Sequence, residues 1–241
     1  MENISCSICN KDNISSYLEI DNTDMSTPEH FNLVKCNHCD FIYLNPRVSA
    51  NKINKYYDTN YTPYLSGNFF YSNAQYMLFR WKRYIIELHK KQGKLIDIGS
   101  GNNNFINYMN KNNWIADSFD KFNDSSVDLI EECKDNSYDV ITLWHSIEHI
   151  HNLEEIFITM KRILKPNGLI FVACPNVNSI DSKLLGKKWV AYDLPRHLYH
   201  FSYESFKKLA DKYDIIIISY HRMIQDMFFN IIKTRNVNII Y

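Results

Sequence analysis

The chain of 241 residues carries 27 Lys and Arg against 27 Asp and Glu, so its formal net charge is zero, and apolar residues make up 45% of it. This charge balance argues against a nucleic-acid or membrane-surface binder, and we expect neither partner. No apolar run approaches the roughly 20 residues of a membrane-spanning helix, and the N-terminus lacks the basic and apolar regions of a signal peptide. The composition therefore predicts a soluble cytoplasmic protein.

Two Cys-x-x-Cys pairs lie near the N-terminus, Cys6 with Cys9 and Cys36 with Cys39. Without a secretion signal, such pairs favour metal over disulfides. Four thiolates complete the tetrahedral shell of zinc, and a two-residue gap lets one tight turn present both sulfurs to the same ion. The intervening chain is long enough for a hairpin that returns to the first pair. The sequence predicts a structural Zn²⁺ site in a small module over residues 1–45.

Residues 46–92 are predicted to be a linker rich in Tyr and Phe that ends in a helix over 74–91. The helix is indicated by apolar residues at helical spacing, namely Met77, Leu78, Trp81, Ile85 and Leu88. The aromatic side chains are expected to pack between the module and the main domain. The alternative is a lid that covers an acceptor.

From Lys94 onward, strand and helix patterns alternate, which is typical of a parallel sheet with helices on both faces. The predicted strands are Lys94–Ile98, Trp114–Phe119, Tyr138–Trp144, Leu169–Cys174 and Ile215–Ser219. Asn152 is predicted to cap the helix after the third strand, with Glu155 reaching back. Residues 220–241 predict a helix and then a short strand from Val237 to Tyr241. The fold class predicted for residues 93–241 is α/β, a Rossmann-like and mostly parallel sheet.

The first of these strands runs directly into a glycine turn, Gly99-Ser100-Gly101, which is followed by a helix. Glycines there permit positive φ and a close backbone approach to a ligand. Asp120 lies 21 residues after Gly99, near the roughly 20 expected of a carboxylate that binds a ribose hydroxyl. The pattern predicts a nucleotide-type cofactor. A dinucleotide fingerprint needs a third glycine at position 104, where Asn104 stands, so a dehydrogenase is disfavoured.

Several segments resemble class I S-adenosylmethionine (SAM) methyltransferases. Asp97-Ile-Gly-Ser-Gly101 is similar to their first motif, and the run from Tyr138 through Trp144-His145 to Glu148-His149 is similar to the subfamily that carries a Glu-His pair. Later segments, Leu164–Gly168, Cys174–Asn176 and Leu194–Phe201, are similar to further landmarks of that subfamily. A four-cysteine module that ends near an Asn-Pro-Arg also recurs among relatives, notably sugar methyltransferases of surface-polysaccharide and antibiotic pathways.

The resemblance implies methyl transfer from SAM to a small polar acceptor, with a sugar or nucleotide-sugar first and polysaccharide biosynthesis as the setting. The residues expected to bind the cofactor are Asp97, Gly99, Ser100, Gly101, Asp120, Trp144 and His145. Zinc remains structural in this interpretation.

Titratable side chains gather at the predicted carboxyl ends of strands and in the loop after Cys174. Imidazole titrates near neutrality, so a histidine can take a proton from an oxygen or carbon acceptor. Glu148, His149 and His197 are the predicted catalytic residues, with His197 as the base. The alternative for each is a helix cap or a histidine that is hydrogen-bonded in place.

The sequence departs from the resemblance in two places. Asn103 stands where a third glycine is expected, although Asn tolerates left-handed backbone. Residues 121–137 are too few for two crossovers of about 10–12 residues with a strand between them, so either the edge strand is missing or Val127–Ile130 forms it. Both departures motivate an alternative, a degenerate methyltransferase fold kept as a binding or scaffold protein. A third hypothesis, a zinc module that reads RNA, is disfavoured by the zero net charge.

Overall fold

The computed structural model describes residues 1–22, 29–57, 69–121 and 130–236 of the chain. Its strands are β1 (Ile14–Asn22), β2 (Glu29–Cys36), β3 (Ile42–Leu44), β4 (Lys94–Ile98), β5 (Ile115–Phe119), β6 (Tyr138–Trp144), β7 (Leu164–Ala173) and β8 (Tyr199–His200). Its helices are α1 (Phe69–Glu87), α2 (Asn104–Asn110), α3 (Leu153–Ile163), α4 (Ile180–Leu185), α5 (Tyr203–Lys212) and α6 (Ile224–Asn236). None of the helices in these ranges is long and apolar enough to cross a membrane.

The contacts divide the chain into two compact units. The first comprises Met1–Tyr56, Glu148–His151 and Pro175–Tyr241, and the second comprises Tyr57–Ile147 and Asn152–Cys174. The predicted division into a zinc-binding module (1–45), an aromatic-rich linker with a helix (46–92) and a cofactor-binding domain (93–241) stays a prediction.

The first unit contains an antiparallel sheet in the order β1-β2-β3-β8. Strand β2 pairs with β1 so that Cys36 lies opposite Ile14, which returns the second cysteine pair to the first, as a hairpin requires. The core beneath the sheet is aromatic: the ring of Phe41 packs against Tyr199 at 5.8 Å and Phe201 at 5.4 Å between centroids. These buried rings contribute much of the apolar area that stabilises the unit.

The second unit contains a parallel sheet in the order β5-β4-β6-β7, flanked by helices, which confirms the predicted α/β class. Strand β6 is almost entirely buried, with Val140, Ile141 and Leu143 at zero exposure, and this explains its near-continuous apolar sequence. Strand β4 pairs with β5 on one side and β6 on the other, so the strand order reverses at β4. In open α/β sheets this reversal point is where ligands bind, beyond the carboxyl ends of the strands.

The predicted strand Ile215–Ser219 is wrong, because residues 215–223 form no strand and pair with none of the described strands. Ile216 is 84% exposed and Ile218 is 65% exposed. An apolar run becomes a strand only where a neighbouring strand takes its hydrogen bonds, and sequence alone does not report that neighbour.

Two other predicted strands fall wholly or largely outside the described residues. The terminal strand Val237–Tyr241 does so entirely, although the helix predicted before it is present as α6. Of the possible edge strand Val127–Ile130, the structure describes Ile130 alone, and this residue begins a 3₁₀ helix. Much of the aromatic segment considered as a lid, residues 58–68, also lies outside the described residues.

Asn152 caps α3, as its position predicts. Its Oδ1 accepts a hydrogen bond from the backbone N–H of Glu155 at 3.2 Å, and its Nδ2 donates to the Glu155 carboxylate at 2.9 Å. The first of these bonds satisfies a backbone donor that the helix leaves unpaired, and the second joins the two side chains.

Replacing this cap should destabilise the fold measurably. Asn152→Ala is expected to lower the free energy of unfolding by about 1 kcal/mol, because one helix N–H loses its acceptor. Asn152→Ser keeps a short acceptor oxygen and should stay close to the wild type. Urea denaturation followed by circular dichroism measures both, and equal stabilities for the Ala and Ser variants would contradict the capping role.

Candidate cofactor and metal sites

The glycine turn after β4 is fixed by a close backbone approach. Gly99 adopts φ +79°, and a Cβ atom on it would lie 2.3 Å from the Cβ of Ser146. Ser146 in turn donates a hydrogen bond to the backbone oxygen of Ile98 at 2.7 Å, and the N–H of Gly99 donates to Phe119 at 2.7 Å. The ends of β4, β5 and β6 are therefore locked around a position that admits only glycine.

Asn103 substitutes for the missing third glycine in the way its residue type allows. It adopts φ +60° and ψ +9°, the left-handed conformation. Ser100 donates a side-chain hydrogen bond to its Oδ1 at 2.9 Å, and the N–H of Asn103 donates to the backbone oxygen of Ser100 at 3.2 Å. The turn is therefore preserved, since Asn enters this region more readily than most side chains.

Asp97 is the buried carboxylate of this turn, with only 2% of its surface exposed. Thr142 on β6 donates a hydrogen bond to it at 2.6 Å. Burial raises the pKa of Asp97 to about 7, against the hydrogen bond from Thr142 and the charge of Lys82, which lower it. Because its pKa lies near neutrality, a ligand that is cationic or donates a hydrogen bond would favour the ionised form of this carboxylate.

Asp120 lies at the end of β5 and reaches the glycine turn. Its Oδ2 accepts a hydrogen bond from the backbone N–H of Gly101 at 2.8 Å, and its charge acts on Asp97. The structure thus brings together Asp97, Gly99, Gly101 and Asp120, four of the residues that the sequence predicts to hold a cofactor.

Trp144 is the last residue of β6 and His145 follows it, and the two side chains differ in what surrounds them. The Trp144 ring packs at 5.9 Å from the ring of Phe105. His145 adopts φ +56° and donates its backbone N–H to Ala173 at 2.8 Å, which turns the chain out of the strand. A backbone hydrogen bond and a left-handed backbone conformation therefore fix the position of His145, whereas Trp144 is held by its contact with the ring of Phe105.

Lys82 on α1 is a residue that the sequence analysis missed. It is only 6% exposed, and its ammonium lies 4.5 Å from the ring centroid of Trp144 and 5.3 Å from that of Phe105. A cation over aromatic faces is stabilised by the ring quadrupole. The signal was its spacing, since Lys82 follows Leu78 by four residues and precedes Ile85 by three, which places it on the apolar face of the helix.

A second cluster joins the three predicted catalytic residues. One ligand-type atom from each of Glu148, His149 and His197 lies within 4.8 Å of the others, and Glu148 is fully buried. The Nδ1 atoms of His149 and His197 are 3.1 Å and 2.8 Å from the backbone oxygens of Arg196 and Ala191. Because a carbonyl oxygen only accepts, each Nδ1 carries a proton, so in the neutral form of either ring the lone pair lies on Nε2.

Burial governs the electrostatics of this cluster. Burial and the neighbouring His197 lower the pKa of His149 to about 4 and that of His200 to about 3. Burial acts to raise the pKa of Asp193, but His197 and Arg196 lower it to about 2. At neutral pH His149 and His200 are neutral and Asp193 is charged.

The four cysteines of the two pairs form a third cluster. Their Sγ atoms lie within 4.8 Å of one another, with 3.4 Å between Cys6 and Cys39 and 3.5 Å between Cys9 and Cys36. A tetrahedral shell with Zn–S bonds of about 2.3 Å separates its sulfurs by roughly 3.8 Å. The donor set and its spacing therefore fit zinc.

Two turns of the same geometry build this cluster. The N–H of Asn10 donates to the backbone oxygen of Cys6 at 2.8 Å, and the N–H of Asp40 donates to that of Cys36 at 2.9 Å. Asn10 and Asp40 adopt φ +56° and +65°, a conformation that Asn and Asp reach more easily than other side chains. The Asn or Asp directly after each pair is the sequence signal of these turns.

A comparison with protein-family models matches the part of the chain that contains the glycine turn. A family model described as a methyltransferase domain matches residues 70–220, whereas a search of curated proteins found no match. The chain is similar to solved structures of phosphoethanolamine N-methyltransferase 2 of Haemonchus contortus with S-adenosyl-L-methionine (18% identity, TM-score 0.47, covering 65% of this chain and 41% of that chain) and a SAM-dependent methyltransferase from Archaeoglobus fulgidus (18% identity, TM-score 0.46, covering 68% and 87%). This chain thus spans about two fifths of the Haemonchus chain.

The two glycines of the turn provide a matched pair of variants. Gly99→Ala should lower the free energy of unfolding by roughly 2–5 kcal/mol, because strained φ and a clash with Ser146 add. Gly101→Ala has φ +58° but nothing within 4 Å of its new Cβ, so it should lose only roughly 1–2 kcal/mol. Chemical denaturation of both variants measures the difference, and equal losses would contradict the close approach at Gly99.

Proposed function

Because the chain belongs to the methyltransferase-domain family whose model it matches over residues 70–220, we propose that it transfers the methyl group of SAM to a small polar acceptor. SAM supplies an electrophilic methyl group on a positively charged sulfur. The protein then needs mainly to hold a nucleophile in line with that methyl group, close to it and partly desolvated. The observation that carries the proposal is the buried Asp97 at the start of a glycine turn, at the point where the strand order reverses.

The cofactor would be held by residues at the ends of β4, β5 and β6. Asp97 would accept a hydrogen bond from a donor group of the cofactor. Gly99 and Gly101 have no Cβ, so the cofactor could come close to the backbone of the turn. Asp120, fixed by the N–H of Gly101, is the proposed ribose partner. Ser100, Trp144 and His145 complete the proposed set.

The acceptor side is assigned to Glu148, His149 and His197. Glu148 follows the end of β6 by four residues, and the carboxyl ends of strands are where open α/β sheets bind ligands. An imidazole lone pair activates an acceptor either by taking its proton or by holding a cation that lowers the acceptor's pKa. The sequence predicts the first of these for His197.

We propose a sugar or nucleotide-sugar as the acceptor, with a place in polysaccharide biosynthesis, on the likeness of the four-cysteine module to those of sugar methyltransferases. The competing proposal is a degenerate fold that binds without catalysis. The first of the two observations behind this competing proposal is weakened, because Asn103 adopts the left-handed conformation that the missing glycine would have supplied. The second observation, the short segment 121–137, still supports it.

We also propose that Cys6, Cys9, Cys36 and Cys39 hold a structural zinc ion. The backbone N–H groups of Ile8 and Cys9 donate to the Cys6 sulfur, and those of His38 and Cys39 donate to the Cys36 sulfur. Such bonds orient thiolate ligands and disperse their charge. Four thiolates leave no open position, so the ion would stabilise the fold and take no part in chemistry.

Cofactor binding is tested by calorimetric titration of the zinc-loaded protein with SAM and its demethylated product. We expect binding by the wild type and a loss of roughly 10- to 100-fold in affinity for Asp97→Asn, because a hydrogen bond to a charged group is removed. Asp117→Asn is the matched control, since Asp117 lies within β5 and bonds Tyr138. Its affinity should equal that of the wild type.

The affinity for SAM should also depend on pH in a predictable direction. Burial raises the pKa of Asp97 above its ordinary value to about 7, so below pH 6 the carboxyl is mostly protonated and above pH 8 it is mostly ionised. A cofactor that prefers the carboxylate therefore binds more tightly as the pH rises from 6 to 8, and Asp97→Asn should lose this part of the rise. No binding by a folded wild-type protein would favour the scaffold alternative.

Zinc is tested by substituting cobalt, which reports thiolate ligands through sulfur-to-metal charge-transfer absorption. The wild type should show this absorption, and Cys9→Ser or Cys36→Ser should lose most of it together with thermal stability, because the metal contributes folding free energy. Cys174→Ser is the control, since Cys174 belongs to neither pair. Unchanged absorption in Cys36→Ser would refute the four-cysteine site.

A further inference from the structure

We propose that Glu148, His149 and His197 bind a divalent metal ion, separate from the four-cysteine cluster. The three side chains supply two imidazole nitrogens and one carboxylate oxygen, all within 4.8 Å of one another. This donor set is the two-histidine, one-carboxylate arrangement that binds ions such as Fe²⁺ with open coordination positions.

Both histidines are oriented as metal ligands require. The Nδ1–H of His149 donates to Arg196 and that of His197 donates to Ala191, at 3.1 Å and 2.8 Å. Metal-bound histidines usually donate their second ring nitrogen to a carbonyl or carboxylate, which fixes the tautomer and the ring orientation. Here two separate backbone carbonyls perform this role, so Nε2 is the ligand atom of each ring.

The backbone holds the two ligand segments together. The N–H of Leu198 donates to the backbone oxygen of Glu148 at 2.8 Å, and the N–H of His197 donates to Asp193 at 3.0 Å. The rings of His149 and His197 contact each other edge to face, with centroids 4.6 Å apart. Glu148 and His197 are buried, so the site is preorganised and not a chance meeting of surface groups.

The spacing is compatible with an ion. Ligand bonds of about 2.1 Å place neighbouring ligand atoms roughly 3.0–3.4 Å apart, and separations below 4.8 Å reach that range through small side-chain rotations. Asp193 is not one of the proposed ligands. It lies 3.7 Å from the Nε2 atom of His197, too far for a hydrogen bond, and it is paired with Arg196, so the carboxylate of Glu148 would supply the negative charge of the site.

The donor types narrow the choice of ion. Imidazole with carboxylate suits Mn²⁺, Fe²⁺, Co²⁺ or Zn²⁺, whereas Mg²⁺ and Ca²⁺ prefer oxygen alone. The remaining positions of such an ion are open to an acceptor oxygen.

The role of the ion rests on the proposed function, whereas the site itself does not. An ion there lowers the pKa of a hydroxyl bound to it, so an acceptor hydroxyl would release its proton to solvent water. The ion would then take the place of the predicted base, because the Nε2 lone pair of His197 cannot bind a metal and a proton together.

The site is tested by titrating the zinc-loaded protein with Mn²⁺ and measuring free Mn²⁺ by electron paramagnetic resonance. Thiolate clusters retain zinc over manganese, so the signal reports the second site. We expect one Mn²⁺ per chain in the wild type. Glu148→Gln and His149→Ala should each bind about 100-fold more weakly or worse, since loss of even an outer-shell partner costs roughly 10- to 100-fold.

His200→Ala is the matched control. His200 is a buried histidine whose ring lies 6.5 Å from that of His197, and it is not one of the three ligands. It should bind Mn²⁺ within about threefold of the wild type, and circular dichroism with zinc analysis verifies that every variant folds. Absence of Mn²⁺, Co²⁺ and added Zn²⁺ binding by the wild type would overturn the site, as would wild-type affinity in Glu148→Gln.

Calorimetry with SAM separates this inference from the proposed function. SAM binding without any metal binding would overturn the site and leave the methyltransferase proposal intact. Metal binding without SAM binding would support the metal site and contradict the methyltransferase proposal.

Discussion

The close approach of Gly99 to Ser146 is the constraint on which the cofactor region depends. It brings the end of β4 against the chain that leaves β6, where Ser146 also donates a hydrogen bond to Ile98, and the hydrogen bond from the N–H of Gly99 to Phe119 adds the end of β5. With three strand ends fixed, Asp97 is buried beside Thr142 and Asp120 reaches Gly101. A side chain at position 99 would separate these ends, and the carboxylates would no longer share one edge of the sheet.

Desolvation shifts the pKa values of the buried polar groups. Asp97 has a pKa near 7 because burial outweighs the hydrogen bond from Thr142 and the charge of Lys82. In the histidine cluster, the same physical effect keeps His149 neutral. Asp193 stays charged, because Arg196 and His197 lower its pKa by more than burial raises it. The proposed metal site rests on geometry instead, because the carbonyl oxygens of Arg196 and Ala191 accept from the Nδ1 atoms of His149 and His197 and so fix the orientation of both rings.

The cysteine cluster is built by two short turns and one strand pairing. Each turn needs two sulfurs at a two-residue gap and a following residue that accepts positive φ, and Asn10 and Asp40 meet the second requirement. The long-range requirement is met by the pairing of β1 with β2, which places Cys36 opposite Ile14. Local turn chemistry and one antiparallel register are enough to gather four thiols.

The sequence by itself determined those features that depend on local pattern. The strands β4 and β6, the glycine turn, the left-handed Asn103, the Asn152 cap and the cysteine pairs all follow from residue types at short spacing. Tertiary structure decided what depends on distant neighbours. Residues 215–219 have the apolar composition of a strand but no described strand to pair with. The spacing of Lys82 places it on the apolar face of its helix, but only the fold brings the rings of Trp144 and Phe105 beside its ammonium. Likewise, Glu148, His149 and His197 were predicted together from chemistry, but only the folded chain supplies the Arg196 and Ala191 carbonyls that set their tautomers, because such contacts join residues that local sequence does not relate.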